Sequence, residues 1–253
     1  MEVSIAAIDV LDAEDIVREI NLPAMQHGPL YRLMFPPWAD MTEAQQNEII
    51  QWYAEGLRDA LRRQTYNFIQ ICATDDTPLG FCGWAMEHGW HAGIKQSTVQ
   101  PGQGQRLLPK TLDLAAWISV SKDLRRERER VLMGLDEVCR ESLLQHKLSS
   151  TNRVLPGLTF MSVHPDHQRQ GLGSKILEQV CSEIDRLGWP VFVMASPAGV
   201  QLYAKFGFDV VGRVETSEGA FTSMLRQSRP GVSGSDGCIG LVLNSNESPR
   251  DEI

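Results

Sequence analysis

One segment limits the possible folds of this chain more than any other: a strand, a short loop and a helix that begins with two glycines. Residues Leu158 to Val163 form a β-prone run, and an apolar stripe with helical spacing follows from Gly171 to Leu187. A helix N-terminus directs unpaired backbone N–H groups and a positive dipole end at whatever lies in front of it. Because Gly171 and Gly173 carry no side chain and Arg169 is cationic, the segment predicts a pyrophosphate site.

The spacing of these glycines excludes two common phosphate-binding motifs. A P-loop needs GxxxxGK followed by Ser or Thr, and a dinucleotide fingerprint needs a third glycine where Ile176 stands. The sequence Gln168-Arg169-Gln170-Gly171-Leu172-Gly173 instead resembles the Q/R-x-x-G-x-G/A pyrophosphate loop of the GNAT superfamily of N-acetyltransferases. Its flanks are similar to that family too, with Val163-His164-Pro165 before the loop and an LYxxxGF motif from Leu202 to Phe208. The likeness covers about residues 155 to 227, and by element order alone residues 1 to 87.

The resemblance implies an α/β (α+β) fold. A mixed central sheet of six to seven strands would splay beside the strand ending near Val163, with helices on its flanks and an inserted helical segment. We expect a single domain over 1–227, with the insertion at about 88–150, and a loosely held C-terminal tail over 228–253.

Local patterns supply the remaining elements. Thr42 and Gln45 form a capping box that predicts the start of a helix. Ser121 or Asp123 is expected to cap a long helix to about Lys147, whose early charges of both signs predict a solvated face. Other runs predict a first strand over 3–8, a helix start at 12–15, a hairpin of 67–72 and 79–86, a surface insertion over 88–112, a strand over 190–195, a short helix over 198–206 and a closing hairpin of 208–214 and 220–226.

The resemblance also implies acetyl-CoA as co-substrate and a set of binding residues. Backbone groups near Met161 and Val163 would bind the pantetheine arm, and the Val163 amide would polarise the thioester carbonyl. Ser196 stands where many relatives carry an Asn that contacts the cofactor. The pyrophosphate would be held by the backbone amides of Arg169, Gln170, Gly171, Leu172, Gly173 and Ser174.

Two residues are candidates for proton transfer. Tyr203 falls on the family position that often protonates the departing thiolate, and a phenol can donate a proton or hydrogen bond to it. The acceptor amine must also lose a proton, for which Glu87 is the first candidate base, although a solvated carboxylate is the alternative reading. His164 has a suitable ordinary pKa, but its place at a strand exit favours a structural role.

By the same resemblance, the acceptor pocket would include Met34, Phe35 and Trp38, together with the last hairpin around 215–221. Such aromatic side chains can hold an apolar body or a cation. They can equally close the hydrophobic core.

Composition and charge argue against several classes of function. A net charge of −8 argues against a general nucleic-acid binder, whose affinity would depend on Lys and Arg. The chain has no long uncharged apolar run and no secretory pattern, so we expect a cytoplasmic protein without a membrane span. The five cysteines are scattered without metal-ligand spacing, so we expect reduced, mostly buried thiols and no metal.

The function predicted from the resemblance is transfer of an acetyl group from acetyl-CoA to a primary amine, by direct attack, on a small-molecule or peptidyl acceptor. Two alternatives stay open: a non-catalytic CoA-binding or sensing module, and an acyltransferase that uses another acyl-CoA or a protein substrate. The sequence leaves the acceptor and the oligomeric state undetermined.

Overall fold

A computed structural model describes residues 2–63, 66–85, 107–143, 157–187 and 190–227, with backbone only at 132, 134–143 and 187. The strands are β1 Ser4–Ala7, β2 Tyr66–Cys72, β3 Pro78–Ala85, β4 Gly157–Val163, β5 Val191–Ala195, β6 Asp209–Thr216 and β7 Gly219–Arg226. The helices are α1 Ala13–Asp15, α2 Leu22–Met25, α3 Pro29–Met34, α4 Glu43–Leu61, α5 Leu114–Leu143, α6 Leu172–Leu187 and α7 Val200–Lys205. A π-helical stretch, Ile16–Asn21, joins α1 to α2, and short 3-10 turns occupy Val10–Asp12, Trp38–Asp40 and Pro165–His167.

The strands form one mixed sheet in the order β1-β2-β3-β4-β5-β7-β6. Neighbouring strands from β1 to β4 are antiparallel, β4 and β5 are parallel, and β5, β7 and β6 are again antiparallel. This confirms the predicted mixed sheet of six to seven strands flanked by helices. The expected tail over 228–253 and the parts of the insertion at 88–106 and 144–150 lie outside the described residues.

Side chains alternate between two packed faces of this sheet. One face carries Val191 and Val193 of β5 and packs against the apolar stripe of α6, including Ile176 and Ile184. The opposite face packs against the helices from α1 to α4, where Phe81 joins the core. Helix α5 lies on this second face, because Val131 packs with Phe192 and Leu225.

The capping box predicted for α4 is present. The Thr42 hydroxyl accepts a hydrogen bond from the Gln45 N–H at 3.4 Å, and the Gln45 side chain accepts one from the Thr42 N–H at 2.9 Å. These bonds satisfy two amides that a helix start would otherwise leave unpaired. The helix therefore begins where the sequence predicted.

Helix α5 begins earlier than predicted. Its first turn is capped by Asp113, whose carboxylate accepts from the Ala116 N–H at 2.9 Å, so the expected start at Ser121 or Asp123 is wrong. The Asp113 N–H also donates to the Met34 carbonyl at 2.8 Å. This contact with α3 is tertiary, and it fixes the start of α5 at the end of another helix.

The charged stretch of α5 from Lys122 to Arg130 is also less solvated than predicted. Arg128 is 8% exposed, and its guanidinium lies 5.7 Å from the centre of the Phe192 ring. The Glu127 side chain is 11% exposed and accepts a hydrogen bond from the Ser223 hydroxyl at 2.5 Å. A Cβ on Gly212 would lie 1.9 Å from the Glu127 carboxylate, so only glycine permits this approach to β6.

Candidate active site

The loop between β4 and α6 is held by its own polar side chains. The Gln168 amide donates to the Val163 carbonyl at 3.0 Å, and the Gln170 amide donates to the Asp166 carbonyl at 3.1 Å. The His164 Nδ1 accepts from the Asp166 N–H at 3.2 Å, which is the structural role expected for this histidine. These bonds fix the path of the loop before any ligand arrives.

Two residues in the loop adopt left-handed backbone conformations. Arg169 has φ of 61° and Gly171 has φ of 85°. This conformation is natural for glycine but strained for arginine, and strain of this kind concentrates at functional sites. The Arg169 side chain is exposed and makes no ion pair within the described chain, so its charge is available at the mouth of α6.

Consecutive backbone N–H groups remain unpaired at this point. Lys175 is the first to donate, to the Gly171 carbonyl at 3.0 Å, while the N–H groups from 169 to 174 donate to no atom of the described residues. A helix start ordinarily leaves about four such groups. Here the two left-handed residues extend the run of unpaired N–H groups to six. These N–H groups and the positive end of the helix dipole together form an anion-binding surface.

The two loop glycines have different roles. A Cβ on Gly171 would meet nothing within 4 Å, so the space around this position is open. A Cβ on Gly173 would lie 3.0 Å from Leu202 and 3.5 Å from Met161. Gly173 therefore lets α6 pack closely against α7 and β4, a requirement that the sequence did not show.

Leu172 and Ser174, the two other predicted binding residues at the start of α6, differ in burial. Leu172 is buried in the core, so only its backbone can face a ligand, and Ser174 is half-buried.

A gap opens in the sheet beside this loop. β4 and β5 pair only at Gly157 with Phe192 and at Leu158 with Val193, although both strands continue beyond these positions. Since the His164 N–H donates to β3, the alternation of a strand directs the backbone groups of Met161 and Val163 away from β3 and into the gap. The two backbone positions predicted to bind pantetheine therefore line the gap.

Ser196 and Tyr203 both follow β5 in the chain. Ser196 follows the end of β5 and is exposed. Tyr203 is 5% exposed and packs edge-on against Phe208, with ring centres 5.5 Å apart. Burial, and then the neighbouring thiols of Cys82 and Cys181, raise the pKa of the Tyr203 phenol well above its ordinary value. The phenol is thus protonated at neutral pH, and its O–H group can donate a hydrogen bond.

The predicted acceptor-pocket residues lie on the opposite face. Met34 and Phe35 are buried in the core around α4, and Trp38 is half-buried with its ring 6.5 Å from Tyr31. The last hairpin also reaches this region, because Arg32 of α3 pairs with Glu218 at 3.1 Å. The structure therefore brings together the two segments that the sequence analysis named, but Glu87, the candidate base, lies outside the described residues.

A small cavity lies beside these residues, and sequence reasoning missed its lining. It measures about 280 Å³ and is bordered by Asn21, Trp52, Tyr53, Gly56, Leu57, Phe81, Trp117 and Phe160. Phe35 lies behind this wall, with its ring centre 6.0 Å from that of Trp52. The adjacent aromatic pair Trp52-Tyr53 on an amphipathic helix was the only local signal, since Trp117 joins through tertiary packing.

Two further features, a metal-binding cluster and a membrane-spanning helix, are absent from the described part of the chain. Its cysteines, Cys72, Cys82 and Cys181, are buried and free. Within the same residues, no group of three or more His, Cys, Asp or Glu side chains is arranged to hold a metal ion. No helix there is long and apolar enough to cross a membrane.

Comparison with known proteins agrees with this geometry. Residues 147–225 match the family model of the acetyltransferase (GNAT) domain. A structure of histone acetyltransferase HPA2 and related acetyltransferase from Corynebacterium glutamicum is similar at a TM-score of 0.55 and 12% identity, covering 92% of this chain and 99% of that one. Arylalkylamine N-acetyltransferase 2 from Aedes aegypti is similar at a TM-score of 0.58 and 12% identity, covering 90% and 100%.

At such identities, the likeness to solved structures shows the fold alone, and the family model matches one segment of the chain, residues 147–225. That segment contains β4, the unpaired N–H groups at the start of α6, and Tyr203. Residues 147–225 are therefore similar to a GNAT acetyltransferase domain, within a chain that shares the overall fold of these solved structures.

Proposed function

We propose that the protein is an acetyl-CoA-dependent N-acetyltransferase that acetylates a primary amine by direct attack on the thioester. The observation that carries this proposal is the run of unpaired N–H groups from 169 to 174, placed beside the gap between β4 and β5. A long anionic co-substrate with a narrow arm fits this combination. The family match over 147–225 supports the same donor.

The donor would be held mainly by backbone groups. The pyrophosphate would accept hydrogen bonds from the N–H groups of Arg169, Gln170, Gly171, Leu172, Gly173 and Ser174, with the Arg169 side chain adding a charge-assisted bond. Met161 and Val163 would bind the pantetheine arm along the gap. Ser196, exposed at the end of β5, would contact it from the other side.

The transfer needs one bond to form and one to break. The amine nitrogen attacks the thioester carbonyl carbon, and the C–S bond to coenzyme A breaks. The Val163 N–H, which points into the gap, would stabilise the negative charge that develops on the carbonyl oxygen. The proton lost by the amine leaves to a base or water, for which Glu87 remains a hypothesis.

Tyr203 would stabilise the departing thiolate. Its phenol is protonated at neutral pH, because burial raises its pKa, and it can donate a hydrogen bond to sulfur as charge develops. The raised pKa also makes the phenol a weaker acid than an exposed tyrosine. We therefore expect Tyr203 to stabilise the thiolate by donating a hydrogen bond, while the thiolate takes its proton from water after release.

The test combines a binding assay with a turnover assay. Coenzyme A is titrated into the purified protein by calorimetry, and thiol release from acetyl-CoA is then followed over a panel of primary amines. Binding with amine-dependent thiol release is the expected result. Folded protein that binds no coenzyme A would overturn the proposal, and binding without acetylation of any amine would favour the non-catalytic module instead.

A further inference from the structure

The cavity on the second face of the sheet has an unusually uniform chemistry. Aromatic rings of Trp52, Tyr53, Phe81, Trp117 and Phe160 form most of its wall. Its volume of about 280 Å³ is at the lower end of the roughly 300–1,000 Å³ typical of ligand pockets. The space therefore suits one small ring rather than a peptide or an oligosaccharide.

The rings come from four different elements that meet only in the folded protein. Trp52 of α4 and Trp117 of α5 meet edge to face, with ring centres 5.6 Å apart and planes at 86°. Phe160 of β4 and Phe81 of β3 lie together on the sheet side, with ring centres 6.4 Å apart. Edge-to-face contacts of this kind are the arrangement that a further aromatic ring would extend favourably.

The cavity adjoins the proposed site of chemistry. Phe160 precedes Met161 on β4, whose backbone faces the gap between β4 and β5. The cavity and the gap therefore share one strand. Because consecutive Cα atoms are about 3.8 Å apart, the cavity wall at Phe160 and the gap at Met161 are one residue apart along this strand.

The residues that line the cavity disfavour a ligand with any charge besides that of its reacting amine. No lining residue that the structure describes carries a formal charge at neutral pH. Asn21 contributes a neutral amide, and its Oδ1 accepts from the Ser162 hydroxyl at 2.9 Å. Burying an ammonium or carboxylate here without a charged partner would be costly, whereas an uncharged ring would only displace water.

We propose that this cavity binds the body of the acceptor, and that the acceptor is a primary amine carrying one uncharged aromatic ring. Trp117, supplied by the inserted helix α5, determines the size of that ring. The inference rests on the proposed function, because it names the acceptor class of the same active site.

The experiment measures two amines on the full chain saturated with coenzyme A. The probes are 2-phenylethylamine, with one ring, and 1,4-diaminobutane, with a second ammonium. We expect calorimetry to show at least about 10-fold tighter binding of 2-phenylethylamine, and thiol release from acetyl-CoA to show the same order in kcat/KM.

Variants then assign the effect to the cavity. Trp117→Ala is expected to weaken 2-phenylethylamine binding about 10- to 100-fold, raising KM more than it lowers kcat, while Trp117→Phe restores most of the affinity. Tyr66→Ala is the matched control, because Tyr66 is a half-buried ring stacked on Phe68 that does not line the cavity. Coenzyme A affinity should be unchanged in all three variants.

The outcomes separate the two proposals. Absence of coenzyme A binding by the folded wild type overturns the proposed function. Coenzyme A binding with equal affinity for the two amines, or with no change in Trp117→Ala, overturns the acceptor assignment alone.

Discussion

Substitutions at Gly171 test the proposed anion site, because the effect of backbone strain can be separated from the effect of an added negative charge. The residue has φ of 85°, and a Cβ built on it meets nothing within 4 Å. Gly171→Asn and Gly171→Asp are nearly equal in size, and both residues tolerate left-handed backbone better than other side chains do. Only the aspartate places a negative charge where the pyrophosphate is proposed to bind.

The expected changes in stability and in coenzyme A affinity follow from the position of Gly171. Left-handed strain costs about 1–2 kcal/mol in either variant, so both should lose similar thermal stability. An aspartate carboxylate about 5 Å from a phosphate is repelled by about 1–3 kcal/mol, taking an effective dielectric constant of roughly 20–80 at this exposed site. Since about 1.4 kcal/mol is tenfold in affinity, Gly171→Asp should bind coenzyme A about 5- to 150-fold more weakly than Gly171→Asn.

The assay is calorimetric titration of coenzyme A into both variants and the wild type, at low and high ionic strength. The difference between the variants should shrink in about 1 M salt, where the Debye length falls to about 3 Å. Equal affinity of the two variants at low salt, with both folded, would refute the reasoning that this loop holds the pyrophosphate.

Three further results are expected. Tyr203→Phe should lower kcat about 10- to 100-fold while coenzyme A affinity and thermal stability stay near wild type; an unchanged kcat would exclude the donor role. Gly212→Ala should cost about 1–3 kcal/mol in urea unfolding, because the added methyl displaces Glu127 of α5, and a neutral change would contradict that packing. Arg130 first, and then Ser223, lower the pKa of Glu127, so its stabilisation is present above its ordinary pKa of 4.5 and is lost as pH falls through the lowered value. Glu127→Gln should therefore destabilise the protein by about 1–3 kcal/mol at pH 7, and by progressively less as pH falls below 4.5 toward the lowest pH at which the protein stays folded; a loss that does not change with pH would argue against the assignment.

Local sequence determined the elements whose hydrogen bonds and apolar stripes are themselves local. The capping box of Thr42 set the start of α4, and the glycine-containing loop with the stripe of α6 predicted both the helix and its anion-binding end. Such features depend on residues a few positions apart, so a pattern read along the chain contains them. The seven-stranded sheet followed from the resemblance rather than from periodicity.

Tertiary packing decided which contacts form between residues that are far apart in the chain. The start of α5 depends on the Met34 carbonyl, the burial of its charged turn depends on Gly212, and the requirement for Gly173 comes from Leu202. The aromatic cavity likewise needs Trp52 and Trp117, which are far apart in the chain and touch only because α4 and α5 pack together. A sequence records which side chains are available, but their distances are set by how helices and strands pack, and those distances shape the cavity that we propose binds the acceptor.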